Sequence, residues 1–79
     1  MDVQAIISSL RSEMPPLVTR KLISKMTGGY LAPGTLANLD SLGKGPRGVR
    51  AGKSVIYTRD DFLRWFEQRI KNGVDGDAA

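Results

Sequence analysis

Apolar residues recur at helical spacing from the start of the chain. Val3, Ile6, Ile7, Leu10 and Met14 fall three and four positions apart, which places them on one stripe of a helix over Asp2 to Met14. Pro15-Pro16 ends that helix, because proline lacks the donor that the next turn needs and restricts the residue before it. Thr19 is a side-chain cap for a second helix, Arg20 to Met26, with Leu22, Ile23 and Met26 facing inward. Thr27-Gly28-Gly29 stops it, and Tyr30 and Leu31 pack the turn that follows. Pro33 then occupies a first helical position, where its missing N–H costs nothing, and a third helix runs to about Leu42 with Leu36 and Leu39 buried and Gly43 as its cap.

The period then changes. Gly43-Lys44-Gly45-Pro46 is an irregular connector, after which Val49, Val55 and Tyr57 read as inward positions of two short strands turning about Ala51-Gly52-Lys53. Thr58 with Asp61 three residues on resembles a capping box. The closing helix carries Phe62, Leu63, Trp65, Phe66 and Ile70 on one side and Arg64, Glu67 and Gln68 on the other. Asn72-Gly73 ends it, and residues 73–79 are expected to form a flexible tail. The predicted class is α+β, mostly helical with one two-stranded β-hairpin. The expected organisation is an amphipathic helix over 1–16, a helix-turn-helix with the hairpin as its wing over 17–72, and the tail.

Composition bounds what such a chain can do. Its 79 residues support one modest core, and with no cysteine neither a disulfide nor a thiolate metal site can staple it. No apolar run reaches the roughly 18–20 residues of a membrane span, and Met1-Asp2 does not resemble a secretory leader. A cytoplasmic protein with no membrane partner is expected. The net charge is +4, but its distribution says more than its total. Between Arg20 and Arg59 lie eight basic residues opposed by Asp40 alone, a local charge of +7, which is the footprint of a polyanion binder.

Chemistry has little to draw on. There is no histidine, and eight carboxylates are scattered along the chain, so neither an enzyme nor a metal or cofactor site is expected. Asp60-Asp61 fits a helix start, where acids meet free N–H groups and a favourable dipole, better than it fits a metal. The spacing of Phe62, Trp65 and Phe66 makes them core anchors and not base-stacking platforms. The glycines match no phosphate loop at strand-helix spacing.

Taken together, Leu17-Val18-Thr19, Thr35-Leu36 with Asn38, Gly43-Lys44-Gly45-Pro46, Tyr57, Asp61 and Trp65 resemble the excisionase-like and MerR-like winged helix-turn-helix domains of phages and mobile elements. The likeness runs from Leu17 to Ile70, with Leu17-Val18-Thr19 at the opening of the first motif helix. It implies binding of double-stranded DNA, with the second motif helix in the major groove and the wing on backbone or minor groove. The implied role is a recombination directionality factor, an architectural accessory beside a tyrosine integrase that self-associates on DNA. A small transcription regulator, or the DNA-recognition subunit of a phage packaging complex, are the alternatives. Two positions depart from the pattern: Ala32 stands where the family often has a capping Ser or Thr, and Gly34 where it often has a basic or polar residue.

The residues expected to meet DNA follow from these faces. Gly34, Ala37, Asn38 and Ser41 form the outer side of the third helix, with Thr35 at its boundary. Of these, Gly34, Thr35, Asn38 and Ser41 are expected to meet DNA, the Asn38 amide being able to pair bidentately with adenine. Arg47, Arg50 and Lys53 on the wing, and Lys44 on the connector, are expected on phosphates or in the minor groove. Arg20, Lys21 and Lys25 on the first motif helix are expected to fix the backbone register.

Overall fold

A computed structural model describes residues 2–72, and within them four helices accompany a small antiparallel sheet. Helix α1 spans Val3–Glu13, strand β1 Leu17–Thr19, α2 Arg20–Met26 and α3 Pro33–Ser41. The hairpin is β2 (Val49–Ala51) and β3 (Ser54–Thr58), and α4 (Arg59–Lys71) closes the described chain. The tail over 73–79 lies outside the described residues.

Local chemistry explains most of these boundaries. The Asp2 carboxylate accepts from the Gln4 N–H at the start of α1, and Thr19 Oγ1 accepts from the Leu22 N–H at the start of α2. Pro33 opens α3 behind Ala32, which makes no side-chain cap. Thr58 Oγ1 accepts from the Asp61 N–H, but the Asp61 carboxylate turns to Arg64 at 3.3 Å, so the capping box is made in one direction only. Two residues, Gly52 and Lys53, join the paired ends Ala51 and Ser54. Gly52 has φ +65°, as the first central position of a two-residue hairpin of the II′ kind requires.

The sheet differs from expectation in one respect. Leu17-Val18-Thr19 does not open a helix. It forms a third strand, paired antiparallel to β3 with Val18 opposite Tyr57, so the order is β1-β3-β2. The reason lies on either side: Pro15-Pro16 keeps the chain extended, and the buried alternation of Val18 between exposed neighbours is a strand pattern too short to register in the sequence. The wing hairpin is therefore the outer part of a three-stranded sheet. Val49 does not face inward; it is 66% exposed on the sheet edge.

The core is built from Ile7, Met14, Val18, Ile23, Leu31, Leu36, Tyr57, Phe62, Leu63 and Phe66. Helix α1 contributes Ile7, and its C-cap Met14 follows into the core, while Val3, Ile6 and Leu10 pack against it half-buried as α1 runs along α4. Polar ties lock that docking: Gln4 donates to Glu67 at 2.6 Å, Arg11 pairs with Asp60 at 2.6 Å, and Arg59 Nη1 donates to the Met14 carbonyl. Phe62 and Phe66 stack with centroids 5.4 Å apart. Trp65 is only half-buried at the core's margin, and its indole N–H donates to the Lys44 carbonyl, tying the connector down on α4. The result is an α+β domain, mostly helical, in which α2, the turn and α3 are followed by a hairpin in a winged-helix arrangement.

Candidate nucleic-acid interface

Helix α3 buries Leu36 completely and turns Gly34, Thr35, Asn38 and Ser41 to solvent. No charged group stands on that outer face. The Asn38 side-chain amide makes no hydrogen bond within the described residues, whereas the Ser41 hydroxyl donates to the Asn38 carbonyl at 2.8 Å. A side chain at Gly34 would meet open space. The face is thus narrow and neutral, with one free amide as its main hydrogen-bonding group.

Charge is concentrated on α2, the connector and the wing. Lys21, Lys25, Lys44, Arg47, Arg50 and Lys53 each carry a cation with no ion pair or hydrogen-bonded partner among the described residues. Each of them is exposed. The fold brings four of these together around the start of α2. Arg47 and Arg50 share one hollow with Arg20 and Asp40. Lys21 and Lys53 share the next hollow with Arg20 and with Pro33, at the start of α3. Lys25 follows Lys21 by one helical turn and extends the same face of α2. Lys44 stands apart, in a cleft between the end of α3 and α4 with Leu42 and Trp65.

Arg20 is the exception among the expected contacts. Its Nε donates to the Tyr57 hydroxyl at 2.9 Å and its Nη2 to Asp40 Oδ2 at 2.9 Å, while the Tyr57 hydroxyl also donates to Asp40. The three side chains connect α2, α3 and β3, and the Arg20–Asp40 pair is about three-quarters buried or more. The Tyr57 hydroxyl and then the Asp40 carboxylate hold the Arg20 guanidinium more firmly charged than usual. Burial, followed by the bond to Asp40, raises the Tyr57 phenol above its ordinary 10.0. Gly45 crosses directly over Asp40, where any Cβ would collide with the carboxylate. Sequence reasoning named Arg20 as a backbone contact and missed Asp40 and Tyr57 as its partners. The signal available was that Asp40 is the only acid in the basic stretch.

No family model, curated protein or solved structure matches the chain. Among the described residues no helix is long and apolar enough to cross a membrane.

Proposed function

We propose that this protein binds double-stranded DNA, with α3 entering the major groove and the wing and α2 gripping the flanking backbone. The single observation that supports this reading most is the gathering of unpartnered cations. Lys21, Lys25, Arg47, Arg50 and Lys53 have no ion-pair or hydrogen-bonded partner among the described residues, and all but Lys25 line hollows that reach α3 at Pro33 or Asp40, while the cations of α1 and α4 are engaged within the fold. Phosphate contacts position a protein on DNA and base contacts specify the sequence. Here the first kind is well supplied and the second is thin.

That imbalance favours an architectural role of the excisionase-like kind: several copies, or DNA shape, would compensate weak readout per subunit. In this reading the partner protein is a tyrosine integrase working on the organised duplex. A gel-shift titration of a random duplex, paired with a circular-permutation bending assay on the attachment region next to the gene, tests the proposal. Binding that weakens steeply with salt, with bending on that region, is the expected result. Salt-independent or absent binding overturns the DNA reading, and tight binding to a promoter without bending replaces the architectural role with a regulatory one.

A further inference from the structure

The engaged state of Arg20 has a use beyond holding elements together. Its guanidinium spends Nε on Tyr57 and Nη2 on Asp40, leaving Nη1 without a partner among the described residues. Nη1 is not among the buried unpaired atoms, so it retains contact with solvent. Arg20 also lines both hollows of the basic face, and in the larger, about 550 Å³, it stands with Arg47 and Arg50. The only carboxylate there among the described residues, Asp40, is already bonded to Arg20 and Tyr57 and covered by Gly45. Three guanidinium groups against one carboxylate, whose Oδ2 accepts from both Arg20 and Tyr57, leave a concavity of net charge +2. An arginine fixed by two partners loses little freedom on binding, and its planar fork matches phosphate oxygens.

We propose that Arg20, Arg47 and Arg50 form a preorganised notch for one phosphate group, with Asp40 and Tyr57 as positioning residues that aim Arg20 into it. The proposal rests on the DNA reading for the source of that phosphate, a backbone diester; free phosphate shares the chemistry. Asp40 gives the notch a counter-intuitive signature. Removing an acid from a basic face should strengthen binding to a polyanion if only net charge matters. If Asp40 positions Arg20, removing it should weaken binding instead.

The test measures affinity of the full chain for a labelled random-sequence duplex across a salt series, for wild type, Arg20→Gln, Asp40→Asn and Tyr57→Phe. Melting curves establish that each variant is folded. Arg20→Gln should lower the slope of log affinity against log salt by about 0.9, the loss of one phosphate contact. Asp40→Asn should weaken binding by about 5–10-fold despite its added positive charge, and Tyr57→Phe, which keeps the ring and removes only the hydroxyl, by about 3–5-fold. A folded Asp40→Asn that binds more tightly than wild type overturns the proposal while leaving the DNA reading intact, and so does an unchanged slope for Arg20→Gln. Should Asp40→Asn fail to fold, Tyr57→Phe decides: wild-type affinity there overturns the proposal. The second arm titrates inorganic phosphate while following the Arg20 Nε–Hε resonance. A wild type that binds no duplex but shows a phosphate-dependent shift, lost in Tyr57→Phe, supports the notch with free phosphate as ligand and ends the DNA reading. Neither binding nor a shift overturns both.

Discussion

Two regions of this small protein treat their cations in opposite ways. On α1 and α4, Arg11, Arg59, Arg64 and Lys71 face carboxylates of the same pair of helices, and Arg69 lies over the Trp65 ring at 5.6 Å. Along α2, the connector and the wing, six of seven cations have no such partner among the described residues, and the seventh, Arg20, is held by Asp40. Exposed ion pairs contribute only about 0–1 kcal/mol each, so the pairing on α1 and α4 is not what makes that side stable. What the contrast shows is where like charge has been left unbalanced. Neighbouring cations within a Debye length of about 8 Å repel one another in the free protein, and an arriving polyanion relieves that repulsion.

The largest effect should come from the scaffold itself. Phe62 is fully buried, with its ring against those of Trp65 and Phe66. Phe62→Ala is expected to cost about 3–5 kcal/mol, enough to unfold a domain of this size, as read by thermal melting. Retention of a cooperative melt near the wild-type temperature would place the core elsewhere. Ile7→Ala comes next, at about 2–4 kcal/mol, and it should lower one cooperative transition without creating a second. A melt with two steps would show α1 opening independently of α4.

How much of this was legible in the sequence follows from how local each signal is. Helix boundaries were readable because their signals are local: Thr19 and Thr58 accept from N–H groups three residues on, and Pro33 lacks the N–H that a first helical position leaves unused. The stripe of α1 was readable as apolar, but its destination was not, because Gln4–Glu67 and Arg11–Asp60 join positions 63 and 49 apart in the chain. Strand β1 escaped because three residues are too few to show a period; only its pairing with β3 defines it. For the same reason Val49 looked inward by alternation alone, when its strand is an edge with nothing packed over it. The basic patch was visible as charge, but which cations are free was not. That division depends on Asp40 meeting Arg20 across a helix-turn-helix, a contact that no local pattern encodes.

Smaller changes sharpen the contrast from the reading face. Gly34 stands at the start of α3 with open space around it. Gly34→Lys should add one phosphate contact, raising duplex affinity by a few-fold at low salt and steepening the salt slope by about 0.9, with little change in melting. Unaltered affinity would move the start of α3 away from the duplex.

The smallest expected effect lies on the paired side. The Lys71 ammonium, and then the Gln4 amide, hold the Glu67 carboxyl below its ordinary 4.5. A depressed carboxyl contributes stability that is present above its unfolded value and is lost as pH falls through the lower folded value. Melting should therefore weaken slightly more in wild type than in Glu67→Gln as pH drops below about 4.5. Parallel acid profiles for the two proteins would remove Glu67 from the α1–α4 docking.

The most direct test compares two charge-matched variants in the same salt titration on a random duplex. Arg47, Arg50 and Lys53 changed together to Ala remove three unpartnered cations, whereas Arg11, Arg64 and Lys71 changed together to Ala remove three that have carboxylate partners. Both lower the net charge by the same amount. The wing variant should flatten the slope by about 2.7 while melting as wild type does, and the other should keep most of the slope and lose a little stability. Equal flattening by the two variants would mean that total charge alone drives binding, and the division of the molecule into a scaffold side and a DNA side would be wrong.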